Sequence, residues 1–149
     1  VIVDSSESSL KNFLKTLPTV DEVGVHLRAA MLATRSIKTT SKMWMIDTAI
    51  SMVDLTTLEG ADTPGKVRAI CAKAVRPDAT DLTVPSVGAV CVYSDMVKIA
   101  RDCLDEIGGA SIPVAAVATA FPSGRASFAV KAQDTVDAIN AGAAEIDMV

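Results

Sequence analysis

The chain has 149 residues, of which 50% are hydrophobic, 21% charged and 3% aromatic, with a mean hydropathy of +0.37; this balance suits one globular domain and excludes disorder. Its net charge of -4, without a Lys/Arg cluster interleaved with aromatics, excludes nucleic acid as a partner. The apolar runs are too short to cross a bilayer, and the amino end VIVDSSESS lacks the basic stretch of a signal peptide, so no membrane is expected either.

Helices come first. Leu10, Phe13, Leu14 and Leu17 recur at helical spacing before Pro18 stops the run. Thr19 and Glu22 have the spacing of a capping box, and Val23, Leu27, Ala30 and Met31 then make one apolar face. A third helical piece starts at Ser41 and carries Trp44, a packing residue by its apolar flanks.

From Ala49 the pattern changes to alternating strands and helices, each strand a near-continuous apolar run suited to a parallel sheet buried on both faces. AISMVDLTTL leads to a helix with Thr63 as N-cap and Pro64 in its first turn, facing inward through Val67, Ile70, Cys71 and Ala74. VGAVCVY leads to a helix capped by Ser94 or Asp95, with Val97, Ala100, Cys103 or Leu104, and Ile107 inward and Gly108 at its end. IPVAAVATAF leads to a helix through Val130, Val136 and Ile139 that ends at Gly142, and AEIDMV opens a fourth strand. Such units build either an open doubly wound sheet or a (β/α)₈ barrel. DLTTLEGAD contains no Gly-rich phosphate loop, and every strand has a polar group near its carboxyl end, where barrel enzymes keep their chemistry, so the barrel is favoured.

Side chains alternate along a strand, which puts Met52, Asp54 and Thr56 on one side of the first, Ala89, Cys91 and Tyr93 on one side of the second, and Glu145, Asp147 and Val149 on one side of the fourth. Asp147, between Ile146 and Met148, is expected to lose solvation and need a partner. Asp54 suits either a site carboxylate or a loop-bonding one, and Cys91 reads first as a small buried hydrophobe. Gly124 and Arg125 of FPSGRAS suit a turn and a solvated loop, with backbone approach to a ligand and phosphate pairing as the functional alternatives. His26 is the single histidine, so a Ser-His-Asp or His-metal site has little support. Cys71, Cys91 and Cys103 are odd in number and lack metal-ligand spacing, which fits a reducing, cytoplasmic setting.

IDTAISMVDLTTLEGADT, VGAVCVYSDMV, PVAAVATAFPSG and VKAQDTVDAINAGAAEIDMV, in this order, resemble deoxyribose-phosphate aldolase in its longer form with a helical amino-terminal extension. The resemblance implies residues 1–48 as that extension and 49–149 as the first half of a (β/α)₈ aldolase barrel, cut within its fourth strand. The leading Val1 is expected to mark trimming at the front as well. It further implies Asp147 in a proton relay, Asp54 at the active site, and Thr56, Cys91 and Phe121 lining the pocket. The implied reaction cleaves 2-deoxyribose 5-phosphate reversibly to acetaldehyde and glyceraldehyde 3-phosphate through a lysine Schiff base, with no metal or cofactor. That lysine must be deprotonated near neutral pH through burial or a neighbouring cation. Lys11, Lys15, Lys38, Lys42, Lys66, Lys73, Lys98 and Lys131 all fall on predicted helices or loops, so the Schiff-base lysine and the phosphate-holding amides are expected beyond Val149. The implied partner is a small phosphorylated sugar or aldehyde, with a homodimer among the assemblies open to the full-length protein. Two other readings stand beside this one: a complete small α/β metabolite-binding domain without catalysis, and another class I barrel aldolase with a different donor.

Overall fold

The computed structural model describes residues 6–149. Val1 to Ser5, on which the reading of the amino end partly rests, lie outside them. The chain divides into two compact units, Val1–Ile37 and Lys38–Val149.

The first unit holds α1 (Glu7–Thr16) and α2 (Glu22–Ala33). Ser6 caps α1 through a hydrogen bond from the Ser9 amide, and α1 ends just before Leu17 and Pro18. The cap of α2 is Asp21, whose Oδ1 accepts from the Gly24 amide at 2.9 Å. This corrects the capping box expected of Thr19: a carboxylate already next to the helix start takes the free amide first. Neither helix has a buried residue, and Leu10, Phe13, Val23, Leu27 and Met31 are all more than half exposed.

The second unit begins with α3 (Thr39–Ser51) and continues as β1 (Asp54–Thr56), α4 (Pro64–Val75), β2 (Ala89–Tyr93), a 3₁₀ turn (Ser94–Met96), α5 (Val97–Glu106), β3 (Val114–Ala118), α6 (Phe128–Asn140) and β4 (Glu145–Met148). The first strand is therefore much shorter than AISMVDLTTL. Ala49 and Ile50 close α3 instead, because their carbonyls accept from the Met52 and Val53 amides in a helical ending. Trp44 lies on α3 at 67% exposure rather than packed.

The four strands are parallel and ordered β1-β2-β3-β4. Val90, Val92, Val114 and Ala116 form one face of the sheet, where they pack with Val67, Cys71 and Ala74 of α4, Val97, Ala100, Cys103 and Leu104 of α5, and Ala138 of α6. All three helices thus cover the same face. A doubly wound sheet would place helices on both faces and reverse its strand order at a switch point; this sheet does neither. Each fully buried valine contributes about 1.5–3 kcal/mol of apolar burial.

α6 departs from its expected face. Val130, Val136 and Ile139 are 47–56% exposed, while Ala138 is buried and Asp134 and Thr135 are half-buried. The helix turns a small and polar stripe inward because it meets the sheet near the strand tips, where polar groups bond it.

Candidate active site

In a parallel ladder, residues in register point to the same side. Asp54 is level with Ala89; Thr56, Cys91, Ala115 and Glu145 form the next level; Tyr93, Val117 and Asp147 form the one above. Asp54, Thr56, Cys91 and Asp147 therefore share the face opposite the helices; Thr56 and Asp147 lie toward the carboxyl ends of β1 and β4, Cys91 at the middle of β2 and Asp54 at the amino end of β1.

Cys91 is the centre of this group. Its thiol, 3% exposed, donates to Asp147 Oδ2 at 3.8 Å. The contact passes over β3, where Ala115 has only a methyl group. Strands lie roughly 4.8 Å apart, so two short side chains from β2 and β4 meet only if this face is concave, as a barrel interior is. Burial pushes the Cys91 thiol up to about 11, the Asp147 charge adds to the rise, and a hydrogen bond with Thr56 offsets part of it. A thiol so raised stays protonated at neutral pH and is a poor nucleophile.

Asp147 itself is exposed, contrary to the desolvated carboxylate expected from its apolar neighbours. Those neighbours, Ile146 and Met148, point to the other face, and β4 is an edge of the sheet. Asp54 is also exposed and its carboxylate takes no hydrogen bond among the described residues, so it is not the loop-bonding aspartate; the Thr56 hydroxyl bonds the Asp54 carbonyl instead, at 2.8 Å. Phe121 is half-buried and meets the Tyr93 ring edge-on, with centroids 6.1 Å apart. Leu58, Tyr93 and Phe121, from the tips of the first three strands, pack against Cys91, Ala115 and Val117.

Several residues that hold this rim escaped the sequence reading. Thr57, 7% exposed, donates its hydroxyl to Asp62 at 2.9 Å. Asp62 also accepts from the Glu59 amide at 3.0 Å and pairs with Lys66 at 2.7 Å. The Lys66 hydrogen bond holds the Asp62 carboxyl below its ordinary range. Asp62, then Glu59, raise the Lys66 amine in turn, which is the wrong direction for an imine-forming lysine. Asp134 accepts from the Ser94 hydroxyl at 2.9 Å and from the Ala120 amide at 3.4 Å. Ser94 accordingly does not cap α5, nor does Asp95: that helix follows a 3₁₀ turn and has no side-chain cap. Tyr93 of the rim, by contrast, was marked in the sequence by its period-two alignment with Cys91.

The remaining candidates lie apart. Gly124 sits in a turn at φ +66, its amide donating to the Ala120 carbonyl. Arg125 is exposed, and His26 is on α2 beside Glu22 at 3.7 Å. None of the eight lysines lies in a strand. A cleft of about 490 Å³ lined by Lys73, Arg76 and Ile107 includes no strand-tip residue. Among the described residues no group of three or more His, Cys, Asp or Glu is placed to hold a metal ion, and no helix is long and apolar enough to cross a membrane.

No family model matches the chain. It is 37% identical over 139 residues to the deoxyribose-phosphate aldolase of Mus musculus, covering 87% of this chain and 43% of that protein. The chain thus spans less than half the length of that relative. A solved structure from Coccidioides immitis, assigned as a deoxyribose-phosphate aldolase, matches at 26% identity and a TM-score of 0.58 over 69% of this chain and 36% of its own. The deoxyribose phosphate aldolase of Aeropyrum pernix, described as tetrameric, shares the fold at 22% identity and a TM-score of 0.54, over 68% of this chain and 38% of its own. The sheet and its helices are accordingly an α/β part of a (β/α)₈ barrel. Over the stretch that it shares with these proteins, the chain belongs to the deoxyribose-phosphate aldolase family.

Proposed function

We propose that this chain carries the acid and pocket side of a lyase site that cleaves 2-deoxyribose 5-phosphate reversibly to acetaldehyde and glyceraldehyde 3-phosphate. In the proposed reaction a lysine amine condenses with the substrate aldehyde, water leaves, and the protonated imine draws the electron pair of the breaking carbon-carbon bond. The hydroxyl on the carbon that becomes the new aldehyde loses its proton, so a base must stand beside it. Asp147 is assigned to that relay, with Asp54 near it and Thr56, Cys91 and Phe121 lining the pocket. Residues 1–48 stand outside the site in this proposal, and a cytoplasmic setting suits three cysteines that are all free thiols.

The observation that carries the reading is the meeting of Cys91 and Asp147 across β3, with Thr56 level with Cys91 on the same face. Two carboxylates and a neutral thiol around one concave surface suit proton transfer. They do not supply the amine, and Lys66, held protonated by Asp62 and Glu59, does not replace it. We assign the amine to sequence in the longer relatives outside the span matched here.

Borohydride trapping with acetaldehyde tests this. The chain alone is expected to keep its 15.5 kDa mass, whereas a form extended to the length of the relatives is expected to gain a two-carbon adduct on one lysine, as the imine is reduced to a secondary amine. No adduct in the extended form overturns the proposal.

A further inference from the structure

Asp134 is half-buried on α6 and joins two different strand-tip loops. One carboxylate oxygen accepts from the Ser94 hydroxyl at 2.9 Å, and the other from the Ala120 amide at 3.4 Å. Ser94 directly follows Tyr93, and Ala120 directly precedes Phe121. Those are the two rings that meet edge-on at 6.1 Å and cover Cys91, Ala115 and Val117.

The loop end at Ala120 needs such a hold. Thr119 and Ala120 are consecutive non-glycine residues at φ 65 and 64, a left-handed conformation in which each Cβ crowds its own backbone. Strain of this kind persists only where neighbouring bonds over-determine the backbone. Thr119 is fixed by β4, its hydroxyl accepting from the Val149 amide at 2.7 Å. Ala120 has no side-chain polar group, so its amide bond to Asp134 does that work from outside.

We propose that Asp134 is a positioning residue that sets the spacing of the Tyr93 and Phe121 rings over Cys91, by clamping the loops after β2 and β3 to α6. It touches neither the reacting carboxylates nor the thiol and acts through the two rings. Its relevance to substrate rests on the aldolase reading above; the clamp itself does not.

Tyr93 is the single tyrosine of the chain, so its ring resonances report the clamp directly. Alkylation of Cys91 by iodoacetamide, followed by peptide mass mapping, reports the cover beneath the rings. In the full chain, Asp134→Ala is expected to move the Tyr93 ring signals and to speed Cys91 alkylation roughly tenfold, as local opening becomes easier. Cys71, buried on the opposite face of the sheet, is the control and stays unlabelled. Asp134→Asn, whose amide can still accept from Ala120 and donate to the Ser94 oxygen, is expected to restore both readouts. Should Asp134→Ala not fold, Ser94→Ala removes one arm alone and is expected to shift the Tyr93 signals in the same direction. Unchanged ring signals and unchanged Cys91 labelling in folded Asp134→Ala or Ser94→Ala overturn the proposal, as does an Asn variant that behaves like the Ala one. None of these readouts depends on imine trapping, so a failed aldolase reading leaves them standing.

Discussion

At Cys91 and Cys71 two thiols are raised for related reasons. Burial lifts both, to about 11 and about 12, with the Asp147 charge as the next contribution at Cys91 and the neighbouring Cys103 at Cys71. The folded state therefore holds both protons more tightly than the unfolded chain, whose thiols titrate near the ordinary 9.0. This contribution to stability is complete below pH 9 and is lost as pH rises toward 11 and 12. Denaturant midpoints measured from pH 8 to 11 are expected to fall across that window, and Cys71→Ala to make the fall shallower. At pH 8 the native thiols are expected to resist alkylation while the unfolded chain labels at all three positions. Asp147 and Asp54 stand differently from the buried thiols, as exposed carboxylates.

The loop between β1 and α4 is held by one cross-linked knot, Thr57 to Asp62 to Lys66, with Glu59 on the far side of the amine. The Asp62 carboxyl is lowered chiefly by its hydrogen bond from Lys66, so its contribution is present above the ordinary carboxylate range and lost as pH falls through its folded value. Lys66→Met is expected to move the acid unfolding midpoint to higher pH, followed by circular dichroism, and to loosen Leu58 from the rim. Local chemistry made several boundaries legible in the sequence. Thr63 does cap α4, its hydroxyl accepting from the Lys66 amide, and Gly108 and Gly142 adopt positive φ just past their helices, because caps and stops depend on neighbours along the chain. The inward face of α6 was not legible, since Asp134 is turned inward by Ser94, 40 residues away. Nor was the knot: Asp62 lies beside a Thr-Pro helix start and reads as part of it. The side on which Asp54 and Thr56, Cys91, and Asp147 each stand along their own strand was legible because alternation needs no knowledge of the partner strand; that these sides form one face depends on the register between strands. Their mutual reach was not legible, since that depends on the small Ala115 between them.

On the scale of the whole molecule, the second unit presents β1 and β4 as unpaired sheet edges among the described residues, together with exposed Val130, Val136, Ile139 and Met148. Unprotected edges next to apolar surface invite pairing with other chains. Sedimentation at micromolar concentration is expected to show concentration-dependent association of the chain, reduced by Ile139→Lys together with Met148→Lys. A strictly monomeric wild-type chain would count against this.

Each strand of the sheet pairs with the one that precedes it in the chain. A newly made β/α unit thus always finds its template already in place, and the closing of each link ties together only a few tens of residues, at modest entropic cost. Assembly in this sheet is additive in one direction, like courses of brick. A polypeptide of such a plan can acquire order unit by unit as it leaves the ribosome.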